Sequence, residues 1–253
     1  MIKFFRNIRQ SLLSESKFSR YLLYAAGEIV LVVIGILIAL SINNWNEQRK
    51  ANKNEIAILN SFLASIDEDL IVYNGIFEYR LNIKKNAIDS LKKLIGTQEK
   101  VSDSIFMSYY RDIDRDIVGR FDSGPYDALK SNGLNQISNP DLRKDIVTTY
   151  QAVLPAYINF MEIPSREFNA SITALENQFL TPEVIPNNSG GWKFISVASS
   201  DTILSDSRLI RVLNMEERKY NNYIDRLEDM KKILTELRKK ILIELNPKLK
   251  NDI

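Results

Sequence analysis

The feature that most constrains this chain is an uninterrupted apolar segment near its beginning. Residues 21–42 read YLLYAAGEIVLVVIGILIALSI and contain thirteen Leu, Ile and Val residues and a single charge, Glu28. As a helix this segment would extend about 33 Å, enough to cross the roughly 30 Å hydrocarbon core of a bilayer. Its apolar side chains favour insertion by about 0.3–0.6 kcal/mol each and outweigh the roughly 2.5–3.5 kcal/mol cost of a central carboxylate. The sequence therefore predicts a transmembrane helix over residues 21–43.

Basic residues are distributed unequally around this segment, and the positive-inside rule therefore predicts a cytoplasmic N-terminus with residues 44–253 outside. Aromatic residues are placed to mark the two membrane interfaces. The alternative is a signal peptide cleaved near Ala39-Leu40-Ser41, but the apolar run and its lead are both too long for one. The bases are Lys3, Arg6, Arg9, Lys17 and Arg20 before the segment and Arg49, Lys50 and Lys53 after it, and the aromatic residues are Tyr21, Tyr24 and Trp45.

Residues 1–20 combine an apolar stripe with basic residues that lie off it. This pattern predicts a cytoplasmic amphipathic segment that lies on an anionic leaflet of the lipid bilayer. The alternative is a mobile basic tail that serves only to set the topology. The stripe consists of Ile2, Phe5, Ile8 and Leu12, and the polar residues are Lys3, Arg6, Arg9 and Gln10.

One face of the predicted membrane helix carries small residues and the carboxyl group. Gly35 and Ala39 form a small-xxx-small pair, which lets two helices approach closely, and Glu28 lies on the same face. The pattern predicts association with a second copy or with another membrane protein, with Glu28 protonated and hydrogen bonded. Alternatively, Glu28 extends its carboxylate to water and has no partner. The full face is Ala25, Glu28, Val32, Gly35, Ala39 and Ile42.

Two long apolar stripes with alternating spacings of three and four residues predict long helices at the two ends of the outer part of the chain. The first helix is expected to continue from the membrane to about Ile95, and the last to cover Ser207–Leu245. The fold class predicted is all-α: one N-terminal transmembrane helix followed by an elongated helical bundle whose first and last helices pair antiparallel. The stripes are Ile56, Leu59, Leu63, Ile66, Leu70, Tyr73, Phe77, Leu81, Ile88, Leu91 and Ile95, and Tyr220, Tyr223, Leu227, Met230, Leu234, Leu237 and Ile241.

Shorter helices are predicted between these two. Ser102 or Asp103 is a candidate N-cap for the first of them. A second helix is predicted to begin at Pro125 and to end just before Gly133. A third is predicted to have Asn139 as its N-cap and Pro140 as its first residue. We expect Pro155 to kink the following helix and Pro164 to separate it from another over about 166–180. Residues 181–201 lack a helical period, and within them 193–198 are expected to form a short strand without enough companions for a sheet.

The composition removes several kinds of chemistry. The chain has neither Cys nor His, which excludes disulfides, thiolate nucleophiles and the commonest general base and metal ligand. Asp112, Asp114 and Asp116 resemble the start of a calcium loop, but Ile117 and Ser123 stand where Gly and Glu are needed. Adjacent acids at 67–69 point in different directions on a helix. No metal or cofactor is therefore expected.

Serine catalysis and nucleic-acid binding are also weakly supported. Ser131 and Ser138 have no His to activate them. A catalytic Ser/Lys pair is not excluded by the sequence. Ser189-Gly190-Gly191 lacks the strand, the Lys and the spacing of a phosphate loop. The outer part is slightly acidic and its aromatic residues fall on apolar stripes, so no nucleic-acid partner is expected.

The block Lys17–Glu47, KFSRYLLYAAGEIVLVVIGILIALSINNWNE, resembles the N-terminal signature of an uncharacterised family of single-pass membrane proteins of Gram-negative bacteria, a domain of unknown function. The resemblance continues through residues 126–133, 137–143 and Tyr150. It implies an inner-membrane anchor and a helical periplasmic domain, and it assigns no catalytic residue, ligand or cofactor.

Three functional hypotheses follow. The first is a non-enzymatic, membrane-anchored interaction or scaffold protein, an accessory subunit of an envelope complex. The second is a helical periplasmic sensor that signals through a partner, because the 20 cytoplasmic residues hold no output domain. The third is an enzyme that uses only carboxylates, Lys, Ser or Tyr.

Overall fold

A computed structural model describes residues 18–98, 101–187, 189–198 and 202–250. The chain divides into two compact units, one ending at Asn54 and the other beginning at Glu55. In the first unit, every described residue belongs to a single helix. The amphipathic stripe predicted for the extreme N-terminus lies outside the described residues.

The described residues are mainly helical, with one two-stranded sheet, which confirms the all-α prediction. The first helix, α1 (Phe18–Val72), passes through a π-helical turn (Tyr73–Phe77) into α2 (Glu78–Thr97). The inner elements are α3 (Asp103–Ile113), α4 (Gly124–Asn132), a 3₁₀ turn (Leu134–Gln136), α5 (Pro140–Thr148), a second π-helical turn (Thr149–Val153) and α6 (Leu154–Glu176). The strands β1 (Leu180–Pro186) and β2 (Trp192–Ala198), a 3₁₀ turn (Ile203–Ser205) and α7 (Ser207–Lys250) complete the chain.

Within the second unit, the first and last long helices are antiparallel, as predicted. Their ion pairs show the direction, because residue numbers rise along α1 and α2 while they fall along α7. These pairs are Glu55 with Lys248 at 2.5 Å, Asp67 with Arg238 at 2.6 Å, and Glu78 with Lys231.

The predicted caps of the inner helices are present. The Ser102 hydroxyl accepts a hydrogen bond from the Ile105 amide, and Asn139 Oδ1 accepts from the amides of Asp141 and Leu142. Gly133 ends α4 with a φ of 108°, a backbone conformation that residues other than glycine rarely adopt.

Pro164 does not separate two helices, so that prediction is wrong: α6 runs through it from Leu154 to Glu176. Proline lacks the amide that would bond the carbonyl one turn earlier, here that of Phe160. Asn222 of α7 donates its Nδ2 to the Phe160 oxygen at 2.9 Å. A side chain distant in sequence therefore replaces the missing backbone donor. Pro155 lies just after the π-helical turn, where the regular hydrogen-bond pattern has already changed.

The expectation that the strand at 193–198 would lack a partner for a sheet is also wrong. Strand β2 pairs antiparallel with β1, from Leu180 opposite Ala198 to Pro186 opposite Trp192. Strand β1 carries Pro182 and Pro186, and proline is uncommon inside strands.

The apolar stripes form two buried clusters. One is built from α1, α4, α5, α6 and α7, and the other from α2, α3, the end of α6 and the start of α7. Of the residues on which the bundle prediction depends, Ile66, Leu227, Leu234 and Leu237 are buried, whereas Leu63 and Leu70 are half-buried. Phe62, which lies off the predicted stripe, is fully buried.

Candidate functional site

The apolar segment of α1 exposes large side chains on all sides of the helix. Eleven residues between Ile29 and Ile42 are 46–73% exposed, and six of them, Ile29 to Ile34, are consecutive. Six consecutive residues complete more than one full turn, so no face of this stretch is covered. A helix over Ala25–Thr97 is long and apolar enough to cross a membrane, and its most apolar stretch has no buried residue.

The five residues predicted for helix association all lie in this part of α1. Val32 and Ala39 are exposed, and Ala25 and Glu28 are half-buried. A Cβ atom added at Gly35 would meet nothing within 4 Å, so this face has room for a second helix. Glu28 is not without an interaction partner.

Trp45 lies just beyond the apolar stretch, is 63% exposed, and has the Arg49 guanidinium 5.7 Å from its ring centroid. An amphipathic ring next to a cation is typical of the headgroup region of a bilayer. The side chains of Tyr21 and Tyr24, predicted for the opposite interface, lie outside the described residues.

A buried cluster of four charged side chains joins α2, α7 and the segment after α3. Lys84, Lys219 and Glu216 are almost completely buried, and Asp116 is partly buried. Lys84 Nζ donates to Asp116 at 2.9 Å, to Glu216, and to the Ile113 carbonyl. Lys219 Nζ is 2.6 Å from Asp116, 3.2 Å from Glu216 and 2.5 Å from Asn169 Oδ1.

Both ammonium groups in this cluster have three acceptors, which matches the three protons that each can donate. Burial raises the pKa of Asp116, but the two lysines more than offset it, so its pKa lies below the ordinary range. For Glu216, burial outweighs the two lysines and the pKa is raised. Two positive and two negative groups with satisfied hydrogen bonds tie three parts of the chain together and leave no free donor for a ligand.

A second set of buried polar contacts holds residues 120–122 against the long first helix and the π-helical turn that follows it. The Asp122 amide donates to Asp69 Oδ2 at 3.0 Å, and Ser65 Oγ donates to the Asp122 carbonyl at 3.2 Å. One turn further on, the Tyr73 hydroxyl donates to the Arg120 carbonyl. Desolvation raises the pKa of both Asp69 and Tyr73. Side chains of one long helix therefore satisfy the backbone of a segment that has no regular secondary structure.

The Ser/Lys pair that the sequence left open is present at Ser138. Lys248 Nζ lies 2.8 Å from Ser138 Oγ, and Ser138 donates through its amide and its hydroxyl to Glu55 Oε1. Lys248 also pairs with Glu55 at 2.5 Å and with Glu244 at 3.1 Å.

This geometry does not activate the serine. Burial lowers the pKa of Lys248, but its bonds to Glu55 and Glu244 have the larger combined effect and raise the pKa above its ordinary range. A lysine that acts as a general base needs a lowered pKa, so that it is neutral near pH 7. The charged Lys248 instead links the start of the second unit to α7 and to the cap of α5.

The acidic groups weighed from sequence are separated in the structure. Asp112 pairs with Arg115 at 2.7 Å, and Asp116 belongs to the buried cluster. Asp67 pairs with Arg238, while Asp69 is buried. Among the described residues, no three acidic side chains converge as a metal ion would require.

The fold and these contacts define the class: a mainly helical protein in which one helix of the described residues is long and apolar enough to span a membrane. The sequence profile of a family of unknown function (DUF6090) matches residues 28–106, which run from Glu28 into α3. This match supports the resemblance to an uncharacterised family over that part of the chain. Neither the curated proteins nor the solved structures include a match to the chain.

Proposed function

We propose that the protein is a non-enzymatic, membrane-anchored interaction or scaffold protein. The observation that carries the proposal is the apolar stretch between Ile29 and Ile42, which is exposed on every side of the helix. Burying one Val, Leu or Ile side chain is worth about 1.5–3 kcal/mol, so the exposed part of these eleven side chains represents on the order of 10–20 kcal/mol. A domain is stable by only about 5–15 kcal/mol, so this surface needs a lipid environment.

In this proposal α1 crosses the bacterial inner membrane with the N-terminus in the cytoplasm. Residues 44–253 then form the periplasmic part. The excess of bases before the apolar segment supports this orientation. Trp45, just beyond the apolar stretch, fits a membrane interface in either orientation. The second unit supplies a rigid helical body, because buried ion pairs connect its first and last helices. A rigid body without an activated nucleophile at Ser138 suits an accessory subunit of an envelope complex.

The anchor predicts the behaviour of the protein on extraction. The native protein should stay in the membrane pellet after alkaline carbonate washing. The variant Ile34→Asp with Ile38→Asp should be released, because each central carboxylate raises the cost of insertion by about 3 kcal/mol. The control is Ile243→Asp, which changes an exposed residue of the second unit and should not alter extraction.

The orientation is tested with protease added to spheroplasts, which should digest residues 44–253. Full protection of this region would contradict the topology.

The scaffold role predicts a partner. Affinity purification of the full-length protein from native membranes in mild detergent should recover a second protein at fixed stoichiometry. The partner should be lost with the released Ile34→Asp, Ile38→Asp variant if both proteins meet in the membrane. Recovery of the protein alone, with a bound small molecule, would favour the sensor hypothesis instead.

The face of the membrane helix that carries Glu28, Gly35 and Ala39 is the proposed contact within the bilayer. Hydrophobicity gives no drive for association in lipid, so close packing at Gly35 and Ala39 and a hydrogen bond from protonated Glu28 are needed. Gly35→Ile should disrupt association, Glu28→Gln should preserve it, and Glu28→Leu should weaken it by about 1–2 kcal/mol. In-membrane crosslinking measures the effect. If all three variants crosslink as well as the native protein, this contact is not made, and the anchor is unaffected by that result.

A further inference from the structure

The hairpin of β1 and β2 has a well-defined register. The Asn187 amide donates to the Gly191 carbonyl at 2.8 Å, and the Gly190 amide donates to the Asn187 carbonyl at 3.3 Å. Gly190 has a φ of 80°. These are the features of a three-residue loop that ends in a glycine bulge. Because residues 187 and 191 form a hydrogen-bonded pair, the next pair, Pro186 and Trp192, is a non-hydrogen-bonded one.

The alternation of pairs decides which backbone groups point away from the hairpin. In non-hydrogen-bonded pairs the amides and carbonyls of both strands point outward. In β1 these positions include Pro182 and Pro186, which have no amide hydrogen, so the outer edge of β1 is poorly suited to pairing. In β2 they include Trp192, Phe194 and Ser196, which all retain their donors. No hydrogen bond within the described residues uses these outward groups.

An apolar surface accompanies this open edge. Trp192 is 72% and Phe194 83% exposed, and both project to the same face as Val184, which is 52% exposed. The two rings alone present on the order of 300 Å², which lies in the range of the largest apolar patches on soluble domains, roughly 300–600 Å², and such patches are often functional. Lys193 is exposed on the opposite face of the same strand.

From this edge and face we propose that β2 is a docking site for an extended strand of a partner protein. The strand pairs with the outward groups of Trp192, Phe194 and Ser196. Its apolar side chains, at alternate positions, lie beside the two aromatic rings. An acidic side chain lies opposite Lys193, because directly opposed residues on one face interact most strongly. This proposal rests on the proposed interaction function and names the chemistry of the partner.

A second copy of the chain is a poorer occupant of the same edge. Strand β2 reads WKFISVA and contains no acid, so no register of β2 against another β2 gives Lys193 a countercharge. The strand that does carry an acid, β1 with Glu183, has its free edge blocked by Pro182 and Pro186. Charge complementarity therefore favours a different protein over self-pairing.

The test uses the full-length protein in detergent micelles and a short fluorescein-labelled peptide of sequence VTVEVTV. Fluorescence anisotropy should show saturable binding. Ser196→Pro removes one outward donor while leaving the ladder to β1 unchanged, and should weaken binding by about tenfold or more. Trp192→Ser with Phe194→Ser should weaken it to a similar extent, because the apolar face is lost. Lys193→Glu should weaken binding by about two- to fivefold and should prefer the peptide VTVKVTV.

Two controls separate the edge from general effects. Lys239→Glu changes an exposed lysine on α7 and should leave both peptide affinities unchanged. The thermal unfolding of each variant should match that of the native protein, which shows that the hairpin remains folded.

The proposal is overturned if VTVEVTV does not bind. It is also overturned if Ser196→Pro and the double serine variant bind as well as the native protein, or if Lys193→Glu shows no change of peptide preference. Concentration-dependent dimers that disappear in Ser196→Pro would assign the edge to a second copy. The proposed interaction function is tested separately from the β2 edge. If the double serine variant still recovers a partner from native membranes, that function stands and the contact with the partner lies elsewhere.

Discussion

Replacement of Glu216 by alanine is expected to lower the free energy of unfolding by about 3–5 kcal/mol. Glu216 accepts hydrogen bonds from both Lys84 and Lys219, and all three side chains are almost completely buried. The variant leaves two buried ammonium groups with the single carboxylate of Asp116. The measurement is chemical unfolding of the full-length protein in detergent, followed by circular dichroism.

The neighbouring residue provides a matched control. Glu217 pairs with Lys92 at 2.5 Å, but both side chains are partly exposed, so Glu217→Ala should cost about 1 kcal/mol or less. Equal effects of Glu216→Ala and Glu217→Ala would show that water reaches the four-charge cluster and screens it.

Replacement of Leu234 by alanine is expected to cost about 2–5 kcal/mol. Leu234 is fully buried in the cluster formed by α1, α4, α5, α6 and α7, and truncation leaves a cavity that its surroundings fill only in part. The corresponding fall in the midpoint of thermal unfolding is about 5–15 °C for a domain of this size.

Ile243 is the control for Leu234, because it lies in the same helix but is 63% exposed. Ile243→Ala should change stability by no more than about 0.5 kcal/mol. An unchanged midpoint for Leu234→Ala would mean that this stripe of α7 does not face the core.

The long helices were predictable because their signals are local. The spacing of apolar residues, the Ser102 and Asn139 caps and the position of Gly133 each act within one or two turns of the chain. The association face at Glu28, Gly35 and Ala39 was also read from spacing within one helix, and it stays a prediction until crosslinking tests it.

The first predicted stripe is one residue, or about 100°, away from the buried face at Ile56, Leu63 and Leu70. Charged residues occupy part of that face. The buried line of α1 and the π-helical turn after it includes Glu55, Leu59, Phe62, Ile66, Asp69 and Tyr73, with alternating spacings of four and three residues. An apolar pattern favours Leu70 over the buried Asp69, but it does not separate Leu63 from Phe62, which is also apolar. Lys84 likewise lies between Leu81 and Ile88 in the apolar register. A charged residue at a position where the helical spacing calls for an apolar one, such as Asp69 or Lys84, was the sequence signal for the buried polar contacts.

The sequence by itself determined the membrane-length apolar segment, the all-helical class and the positions of most helix ends, because hydrophobicity and backbone preference act over short distances. Only the tertiary structure decided that α6 continues through Pro164, since the compensating donor, Asn222, lies in another helix. It also decided the ion pairs of Lys248 beside Ser138 and the pairing of β1 with β2. These outcomes depend on groups that are far apart in the chain, whose burial and mutual distance no local pattern contains.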